Sequence, residues 1–588
     1  MKRFIRAVAA ATLCISGLAP MMVPTASAQA SSLLDYDSIE IPVADREGMV
    51  VSQNEIASYV GARVLEEGGN AFDAAVATAL ALAVTLPRAG NLGGSGFLLA
   101  YVAEEDRVIA IDYRSAAPAA AEMEMFLDRE GNVTDEAGYG YRAAAVPGTI
   151  AGLSLAHEHY GSLPWEDLVQ PALELARDGI VVSRDLSEAL RWGRRRLETS
   201  PTTMDTFFKE DGEPYQYGET LVQPELAWTL ERLATAGPED FYTGEIAQKI
   251  ADDMAANNGL ITLEDLASYE AKFREPLRTT YRGYDVVTMP PSSSGGTALI
   301  EMLNMLETFD MGAMGHNSAA SLHVMSEVMK LAYADRREYI GDPDFVDVPV
   351  ETITSKAFAH ERVQDINREQ STPATEIEPW DPMAFESPDT THFSIADQYG
   401  NVVSNTYTLG SSFGSGVVID GAGFLLDNQM KNFSLRLNVR GATYGTNPYN
   451  KLEAGKRMLS SMTPTIVFKD GEPYMAVGSP GGSTIINTVL QVILNVVDHG
   501  MNIQDATEAP RIHQNWKPDE LEFERGISID TLRLLVGIGH EVELSKTIGS
   551  AQNLLIEDGL IYGAADPRRP DARAVGVENL SVLMPEQQ

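Results

Sequence analysis

The sequence predicts an α+β fold in which helices cover the outer faces of two stacked sheets, giving four layers in the order αββα. Two observations lead to this prediction. Strand-like segments are both preceded and followed by helical segments along the chain, so each sheet has helices available to cover it. No repeat of fixed period is visible, which disfavours a solenoid or a propeller. The 588 residues are 44% hydrophobic, which is enough for a large core.

The first predicted elements are a pair of helices beside paired strands. Residues 50–69 show helical spacing of apolar residues and end at a glycine pair, and residues 73–86 form an almost wholly apolar helix that must be buried. The apolar runs 97–102 and 108–113 predict strands. The middle of the chain, from 149 to 339, is expected to be mostly helical. Its clearer helices are 153–160, 166–178, 224–236 and 319–339.

The second half of the chain is predicted to be rich in strands. Residues 370–388 are dominated by Ser, Thr, Pro and Glu without periodicity, which indicates an exposed linker. Residues 391–397 and 401–409 then flank the turn Gln398-Tyr399-Gly400, which predicts a hairpin. Further strands are expected at 416–419, 464–469 and 474–478, and a helix at 483–498.

Charge and the N-terminal segment limit the partners that we expect. Lys and Arg number 44 against 84 Asp and Glu, a net charge of -40, which repels nucleic acid and anionic lipid surfaces. Residues 1–28 have a basic start, an apolar run and the cleavage signal Ala26-Ser27-Ala28, the pattern of a secretory signal peptide. The only cysteine, Cys14, lies within this segment. We expect an exported protein, periplasmic or secreted, without nucleic-acid partner, membrane anchor, disulfide or thiolate site.

Two motifs give weak indications of chemistry. His157 and His159 are two residues apart, which does not put them on one helical face, so we expect no metal site. The segment Gly410-Ser411-Ser412-Phe413-Gly414 matches the serine elbow GxSxG, but β-branched residues follow it where the elbow needs a helix. We therefore expect a loop here, with a Ser412 nucleophile as the alternative.

Two further segments could carry acyl-transfer chemistry. The run Gly478-Ser479-Pro480-Gly481-Gly482-Ser483 leads from a predicted strand into a helix N-terminus, where free N–H groups could hold an oxyanion. Thr390 ends the predicted linker and begins a strand. If the peptide bond before it is cut, its new α-amine, with a reference pKa of about 7.7 to 8.0, can serve as general base for its own hydroxyl. From the residues alone, an ordinary turn and an ordinary strand threonine remain open alternatives.

Short motifs occur in order over most of the mature chain. They are Gly68-Gly69-Asn70-Ala71, Gly90-Asn91-Leu92-Gly93-Gly94, Arg114, Pro147-Gly148-Thr149, Ser293-Ser294-Gly295-Gly296, Tyr333-Ala334-Asp335-Arg336, Thr390-Thr391-His392-Phe393-Ser394, Tyr407-Thr408-Leu409, Asn428-Gln429-Met430, Leu459-Ser460-Ser461-Met462 and Gly478-Ser479-Pro480-Gly481-Gly482. With these motifs the chain resembles the γ-glutamyltransferase (glutathione hydrolase) family of N-terminal-nucleophile hydrolases.

The resemblance implies one αββα core shared by two subunits that are cut from a precursor at Asp389-Thr390 and associate as a heterodimer. The large subunit would span 29–389 and the small subunit 390–588. The implied catalytic residues are the nucleophile Thr390, Thr408, which orients it, and Gly481 and Gly482, whose amides form an oxyanion hole. The implied substrate-binding residues are Arg114, Gln429, Asn432, Ser460 and Ser461. The resemblance implies neither a cofactor nor a metal.

Two positions depart from the family pattern. The family's transferases usually carry Asn where this chain has Gly410 and Asp where it has Asn432. In those transferases both side chains bind the donor's α-amino group. Residues 435–456 have the length of the lid that many bacterial members carry. We expect an enzyme that cleaves γ-glutamyl amides such as glutathione through a threonine acyl-enzyme. The alternatives are a glutaryl-type or cephalosporin acylase on the same scaffold and a non-catalytic periplasmic binding protein.

Overall fold

The computed structural model describes residues 40–377, 390–435 and 447–580. The predicted signal peptide, the end of the predicted linker (378–389) and residues 436–446 of the predicted lid lie outside the described residues. Among the helices that are described, none has the length and apolarity needed to cross a membrane.

Strands occur along all the described ranges. In chain order they are β1 (Val43–Asp45), β2 (Gly48–Ser52), β3 (Ser95–Val102), β4 (Arg107–Tyr113), β5 (Ile180–Val181), β6 (Thr220–Leu221), β7 (Lys272–Arg274), β8 (Leu277–Tyr281), β9 (Tyr284–Thr288), β10 (Thr391–Asp397), β11 (Val402–Thr408), β12 (Thr465–Lys469), β13 (Glu472–Val477), β14 (Ile512–His513), β15 (Leu521–Phe523), β16 (Val542–Leu544), β17 (Gln552–Glu557), β18 (Leu560–Ala565) and β19 (Arg573–Gly576).

Helices are concentrated before residue 363. They are α1 (Glu55–Glu66), α2 (Ala71–Thr85), α3 (Thr149–Tyr160), α4 (Trp165–Asp178), α5 (Arg184–Leu197), α6 (Pro201–Phe207), α7 (Pro224–Ala236), α8 (Asp240–Thr243), α9 (Glu245–Ala256), α10 (Leu263–Ala267), α11 (Gly295–Leu306), α12 (Met311–Met314), α13 (Ala319–Tyr339), α14 (Val350–Ile353), α15 (Lys356–Arg362), α16 (Thr484–Val497), α17 (Ile503–Glu508) and α18 (Ile529–Gly537).

Most of the strands build two antiparallel sheets, each with seven strands from the described ranges. Sheet 1 has the order β19-β2-β10-β11-β3-β4-β7, and sheet 2 has the order β1-β18-β17-β13-β12-β9-β8. Both sheets combine strands from before and after residue 390, since β10 pairs with β2 in sheet 1 and β12 pairs with β9 in sheet 2. The predicted α+β fold with two large sheets is confirmed.

Successive residues of β3 show how the sheets are packed. Phe97 and Leu99 join an apolar cluster with Ile466 of sheet 2, whereas Leu98 and Ala100 join the cluster that contains α1 and α2. This alternation is the two-residue period of a strand that is buried on both faces. On the far side of sheet 2, α11, α13 and α16 pack against β12 and β13. The two sheets therefore lie face to face between two groups of helices.

Several predicted elements are confirmed within a few residues. The apolar helix α2 is buried at all fifteen of its positions and begins with a capping box between Asn70 and Asp73. The hairpin around Gln398-Tyr399-Gly400 is formed by β10 and β11. The predicted segments 224–236 and 319–339 coincide with α7 and α13. Long periodic segments with clear caps carry most of their structural information locally.

Two predictions about secondary structure are wrong. Residues 50–52 belong to β2 and the helix begins only after the N-cap Asn54, because an apolar run that leads into a helix cannot be separated from it by periodicity. Residues 416–419 form only an isolated bridge, Val418 with Leu425. The middle of the chain is mostly helical, as predicted, but it also contains β8 and β9, which form one edge of sheet 2 and were not predicted.

The predicted exposed linker is partly buried where it is described. Ser371, Ala374 and Ile377 are all below 9% exposed although they have no regular structure. Lys330 Nζ donates to Ser371 Oγ at 2.9 Å, and Trp516 Nε1 donates to the carbonyl of Ala374 at 3.1 Å. Contacts with distant residues hold this segment, and its composition gives no sign of them.

Candidate active site

The first hairpin brings two threonine hydroxyls together. Thr390 directly precedes β10, and the register of β10 with β11 pairs Thr391 with Tyr407, so Thr390 lies beside Thr408. Thr390 Oγ1 donates to Thr408 Oγ1 at 3.2 Å, and Thr390 is only 5% exposed. The amide of Gly410 donates to the same Thr408 oxygen at 2.9 Å. The candidate nucleophile is thus fixed at a buried strand end.

The glycine turn after β13 presents amides beside this hydroxyl. β13 ends at Val477 and α16 begins at Thr484, as the sequence predicts. Gly481 and Gly482 have φ values of +140° and +61°, a region that favours glycine. Within the described part of the chain, neither of their N–H groups has an acceptor. Unpaired amides at a helix N-terminus are suited to hold a developing negative charge.

A small cleft connects these groups. It is lined by Arg114, Thr390, Thr408, Gly410, Asn432, Ser460, Ser461, Met462, Gly482 and Ile485. The cleft therefore brings together most of the residues that the sequence analysis proposed for the site. The exceptions are Gln429 and Gly481, which do not line it.

Arg114 is the charged side chain of the cleft. It follows β4 and is 1% exposed. Its Nε donates to the carbonyl of Met458 at 3.2 Å, and its Nη2 donates to the carbonyl of Leu459 at 3.2 Å. These bonds hold the guanidinium against the segment that carries Ser460 and Ser461. A planar, always charged fork is suited to bind a carboxylate.

The two serines have different hydrogen bonds. Ser460 Oγ accepts from the amide of Met462 at 3.2 Å, and its own proton has no acceptor among the described residues. Ser461 Oγ donates to the carbonyl of Gly482 at 2.6 Å, so it joins this wall to the glycine turn. Ser460 is therefore the serine whose hydroxyl is available to a bound anion in this conformation.

Gly410 and Asn432 also line the cleft. Gly410 has a φ of +89°, and a Cβ built on it would lie 2.4 Å from Asn428 Oδ1. Asn432 Oδ1 is buried and has no hydrogen-bond partner among the described residues. An unpaired buried acceptor is costly, so this oxygen is suited to receive a hydrogen bond from a ligand.

The charge that lines the cleft is positive. None of the residues that line it within the described ranges carries a carboxylate. Lys431, next to Asn432, donates through Nζ to Ser411 Oγ at 2.6 Å. Asp427 lies behind Arg114, where burial raises its pKa to about 6, and its carboxylate accepts from Ser115 Oγ at 2.5 Å.

The structure changes the interpretation of Gln429 and identifies two lining residues that the sequence analysis missed. Gln429 is fully buried behind the cleft, where Nε2 donates to Ser95 Oγ at 2.8 Å and to the carbonyl of Thr408 at 3.2 Å. Met462 and Ile485 form apolar lining. Ile485 could have been found as the second residue of the helix that follows the glycine turn.

The serine elbow is not formed. No helix follows Ser412 before residue 428. Its hydroxyl is buried, has no partner among the described residues and does not line the cleft. The loop interpretation of residues 410–414 is confirmed.

His157 and His159 are not a pair in the structure. Each bonds a backbone carbonyl, that of Leu163 for His157 and that of Leu155 for His159.

Three other potential metal ligands, His323, Glu327 and His540, lie close together and buried. Glu327 already forms an ion pair with Lys330 at 2.7 Å, and His323 Nδ1 lies 2.8 Å from His540 Nε2. His323 Nε2 donates to the carbonyl of Asn367 at 2.8 Å. We interpret the group as a polar cluster that anchors the start of the linker, because an ammonium at 2.7 Å opposes a bound cation.

Comparison with known proteins is consistent with this site. Residues 57–576 match the family model described as gamma-glutamyltranspeptidase. The chain belongs to this family. It is 46% identical to the glutathione hydrolase proenzyme of Escherichia coli (strain K12), over 97% of this chain and 99% of the relative. It is 37% identical to the acylase ACY 1 proenzyme of Pseudomonas sp. (strain SE83), over 93% of this chain and 95% of the relative.

Two solved structures are similar to this chain. The cephalosporin acylase from Bacillus halodurans superposes with a TM-score of 0.82 at 30% identity, over 92% of this chain and 98% of its own. The γ-glutamyltranspeptidase of Helicobacter pylori superposes with a TM-score of 0.54 at 44% identity. That match covers 55% of this chain and 93% of the Helicobacter chain.

Proposed function

We propose that the chain is the precursor of a glutathione hydrolase and γ-glutamyltransferase that acts through Thr390. The observation that carries this proposal is one cleft that combines the Thr390–Thr408 hydroxyl pair with the Gly482 amide and the Arg114 guanidinium. These groups supply a nucleophile, an oxyanion donor and a carboxylate site, which an acyl transfer from a γ-glutamyl donor needs. The family relationship supports the same activity.

The reaction follows from these positions. Cleavage of the Asp389-Thr390 bond releases the α-amine of Thr390, which takes the hydroxyl proton as Oγ1 attacks the donor's γ-carbonyl. The carbonyl oxygen becomes an oxyanion, which the amides of Gly481 and Gly482 stabilise. The C–N bond then breaks, the amine leaves with the proton, and Thr390 keeps the acyl group as an ester. Water or the amino group of an amino acid or peptide attacks this ester and restores the hydroxyl.

Maturation into two subunits has independent support. The curated relatives are named proenzymes. The Helicobacter chain is matched over 93% of its length but covers only 55% of this one, as a subunit cut from a longer precursor would. Because each sheet contains strands from both sides of residue 390, separate subunits 29–389 and 390–588 would remain joined in one core. The signal-like residues 1–28 support export.

The donor's acid and amino groups have matching positions in the cleft. Arg114 and Ser460 would bind the α-carboxylate, and the unpaired Asn432 Oδ1 would accept from the α-ammonium. Asn432 offers a neutral oxygen where the usual family residue offers a full charge. The ammonium is therefore bound less tightly, because an amide oxygen accepts its hydrogen bond without the attraction between opposite charges that a carboxylate adds.

A glutaryl-type acylase is the second candidate. The observation that favours it is the absence of a carboxylate among the described lining residues, together with Lys431 one residue from Asn432. A cleft whose described lining carries the Arg114 guanidinium and no carboxylate favours a donor that carries a carboxylate and lacks an ammonium. Comparing a γ-glutamyl with a glutaryl anilide on the processed protein separates the two candidates.

The nucleophile is tested by changing Thr390→Ala. The variant should remain a single chain on a denaturing gel and should not cleave γ-glutamyl anilides, whereas the wild type yields a small subunit that begins at Thr390 by mass spectrometry. Ser412→Ala is the matched control and should be processed and active. A wild-type protein that stays uncut would favour the non-catalytic binding protein.

A further inference from the structure

Two sequence motifs, Ser293-Ser294-Gly295-Gly296 and Tyr333-Ala334-Asp335-Arg336, have no role in the reaction as derived so far. None of their residues lines the cleft. Ser293 and Ser294 form the turn before α11 and are 0% exposed, while Tyr333 and Arg336 lie on α13 and are at most 3% exposed. Polar groups buried this completely are held by specific partners, and these partners are the walls of the cleft.

The turn of Ser293 and Ser294, called the serine turn below, is hydrogen-bonded to the segment of the cleft lining that contains Ser460, called the carboxylate wall. Both the amide and the hydroxyl of Ser294 donate to the carbonyl of Ser460, at 2.8 and 2.7 Å. Ser293 Oγ donates to the carbonyl of Met462 at 2.6 Å. A Cβ on Gly295 would lie 2.8 Å from the carbonyl of Ser461, so the turn and the wall are in close backbone contact.

Helix α13 supports both walls. Arg336 Nε donates to Ser294 Oγ at 2.6 Å. The Ser294 hydroxyl therefore accepts a hydrogen bond from Arg336 and donates one to the Ser460 carbonyl. One helical turn earlier, the hydroxyl of Tyr333 donates to the carbonyl of Ser483, directly after the two turn glycines. A single helix from before residue 390 thus supports the Ser460 segment through Ser294 and contacts the glycine turn directly. Both of these segments come from after residue 390.

We propose that Ser294 and Arg336 position the carboxylate-binding wall and that Tyr333 positions the oxyanion turn. This inference rests on the proposed function for the meaning of the two walls. A contact with the donor's remote carboxylate is made equally in the ground state and the transition state, so loosening that wall raises KM. An oxyanion contact forms only in the transition state, so loosening the glycine turn lowers kcat.

The carboxylate wall is tested with Ser294→Ala. Loss of the hydroxyl removes its hydrogen bond to the Ser460 carbonyl and the acceptor of Arg336 Nε. This should raise KM for a γ-glutamyl anilide about 3- to 10-fold and leave kcat within about twofold. Ser292→Ala is the matched control, because Ser292 is also 0% exposed in the same turn and its hydroxyl has no partner among the described residues. Arg336→Met should raise KM like Ser294→Ala, and Arg336→Lys, which keeps a donor, should restore part of the loss.

The oxyanion turn is tested with Tyr333→Phe. We expect kcat to fall about tenfold while KM changes less than twofold. Tyr281→Phe is the control, since Tyr281 is equally buried and its hydroxyl donates to Asp498 at 2.7 Å, outside the cleft lining. Subunit formation and the unfolding midpoint are measured for every variant. If Arg336→Met does not fold, Ser294→Ala alone tests the carboxylate wall.

The outcomes separate the inference from the function on which it rests. A processed wild type that cleaves no γ-glutamyl donor contradicts the proposed function. Calorimetric binding of free glutamate to wild type and Ser294→Ala then still tests the wall, because it needs no turnover. If Ser294→Ala behaves like Ser292→Ala, or if all variants change kcat and KM in parallel with a lower unfolding midpoint, the two positioning roles are overturned.

Discussion

Thr390 and Thr408 are 18 residues apart in sequence, yet their hydroxyl oxygens lie 3.2 Å apart because they sit on neighbouring strands of one hairpin. The candidate nucleophile is therefore positioned by the hairpin of β10 and β11, whose strands are adjacent in the sequence. It also explains why an ordinary pair of strand threonines is difficult to recognise as a site from composition. Around this pair, four positions lead to testable predictions.

Replacing Arg114 with Lys should raise KM for γ-glutamyl anilides roughly 10- to 150-fold and leave processing intact. Lys keeps the charge but loses the paired N–H donors of the guanidinium. A charge-assisted hydrogen bond contributes about 1.5 to 3 kcal/mol, and about 1.4 kcal/mol corresponds to a tenfold change in affinity. Steady-state kinetics and a denaturing gel measure both effects. Arg88→Lys is the control, because Arg88 is 2% exposed and pairs with Asp185 away from the cleft. An unchanged KM would refute the carboxylate assignment.

Asn432→Asp should raise kcat/KM for γ-glutamyl relative to glutaryl donors about tenfold, or about 1.4 kcal/mol. The reason is that the unpaired Oδ1 becomes part of a full negative charge facing the donor's ammonium. Both donors are measured on wild type and variant. Asn258→Asp adds the same charge at an exposed site and should leave the ratio unchanged. A ratio that does not move would show that Asn432 is not the amine site.

Gly410→Asn should destabilise the protein and should not restore the usual family contact. Its φ of +89° is unfavourable for a side chain, and the new Cβ would displace Asn428, whose Oδ1 accepts from the Ser411 amide at 2.8 Å. We expect a loss of about 1 to 3 kcal/mol, seen as a lower unfolding midpoint. Gly237→Asn has a similar φ of +86° and nothing within 4 Å, so it isolates the backbone strain. If both variants lower the unfolding midpoint equally, the predicted clash with Asn428 is contradicted.

Asp427 should make stability depend on pH. Its pKa of about 6 in the folded state lies above the ordinary 3.8, so the folded state binds the proton more tightly than the unfolded state does. The resulting stabilisation is complete below about pH 4 and is lost as pH rises through about 6. Between pH 5 and pH 8 the unfolding free energy of the wild type should fall by roughly 1 kcal/mol relative to that of Asp427→Asn. Unfolding midpoints of both proteins at the two pH values check this, and a constant difference would contradict it.

The sequence by itself determined the elements whose signals are local. The buried helix α2, the hairpin of β10 and β11, and the glycine turn between β13 and α16 were predictable, because periodicity, caps and turn residues lie within each segment. The motifs also sufficed to predict the family and the main residues of the cleft.

Only the tertiary structure decided which distant residues meet. Strand β9 is placed in sheet 2 by its pairing with β12, and β8 by its pairing with β9. The linker residue Ser371 is buried through its contact with Lys330. In the same way, Gln429 lies behind the cleft, and Ser294 and Tyr333 support its walls. Such contacts join residues up to hundreds of positions apart through burial and hydrogen bonds, and local patterns carry no information about them.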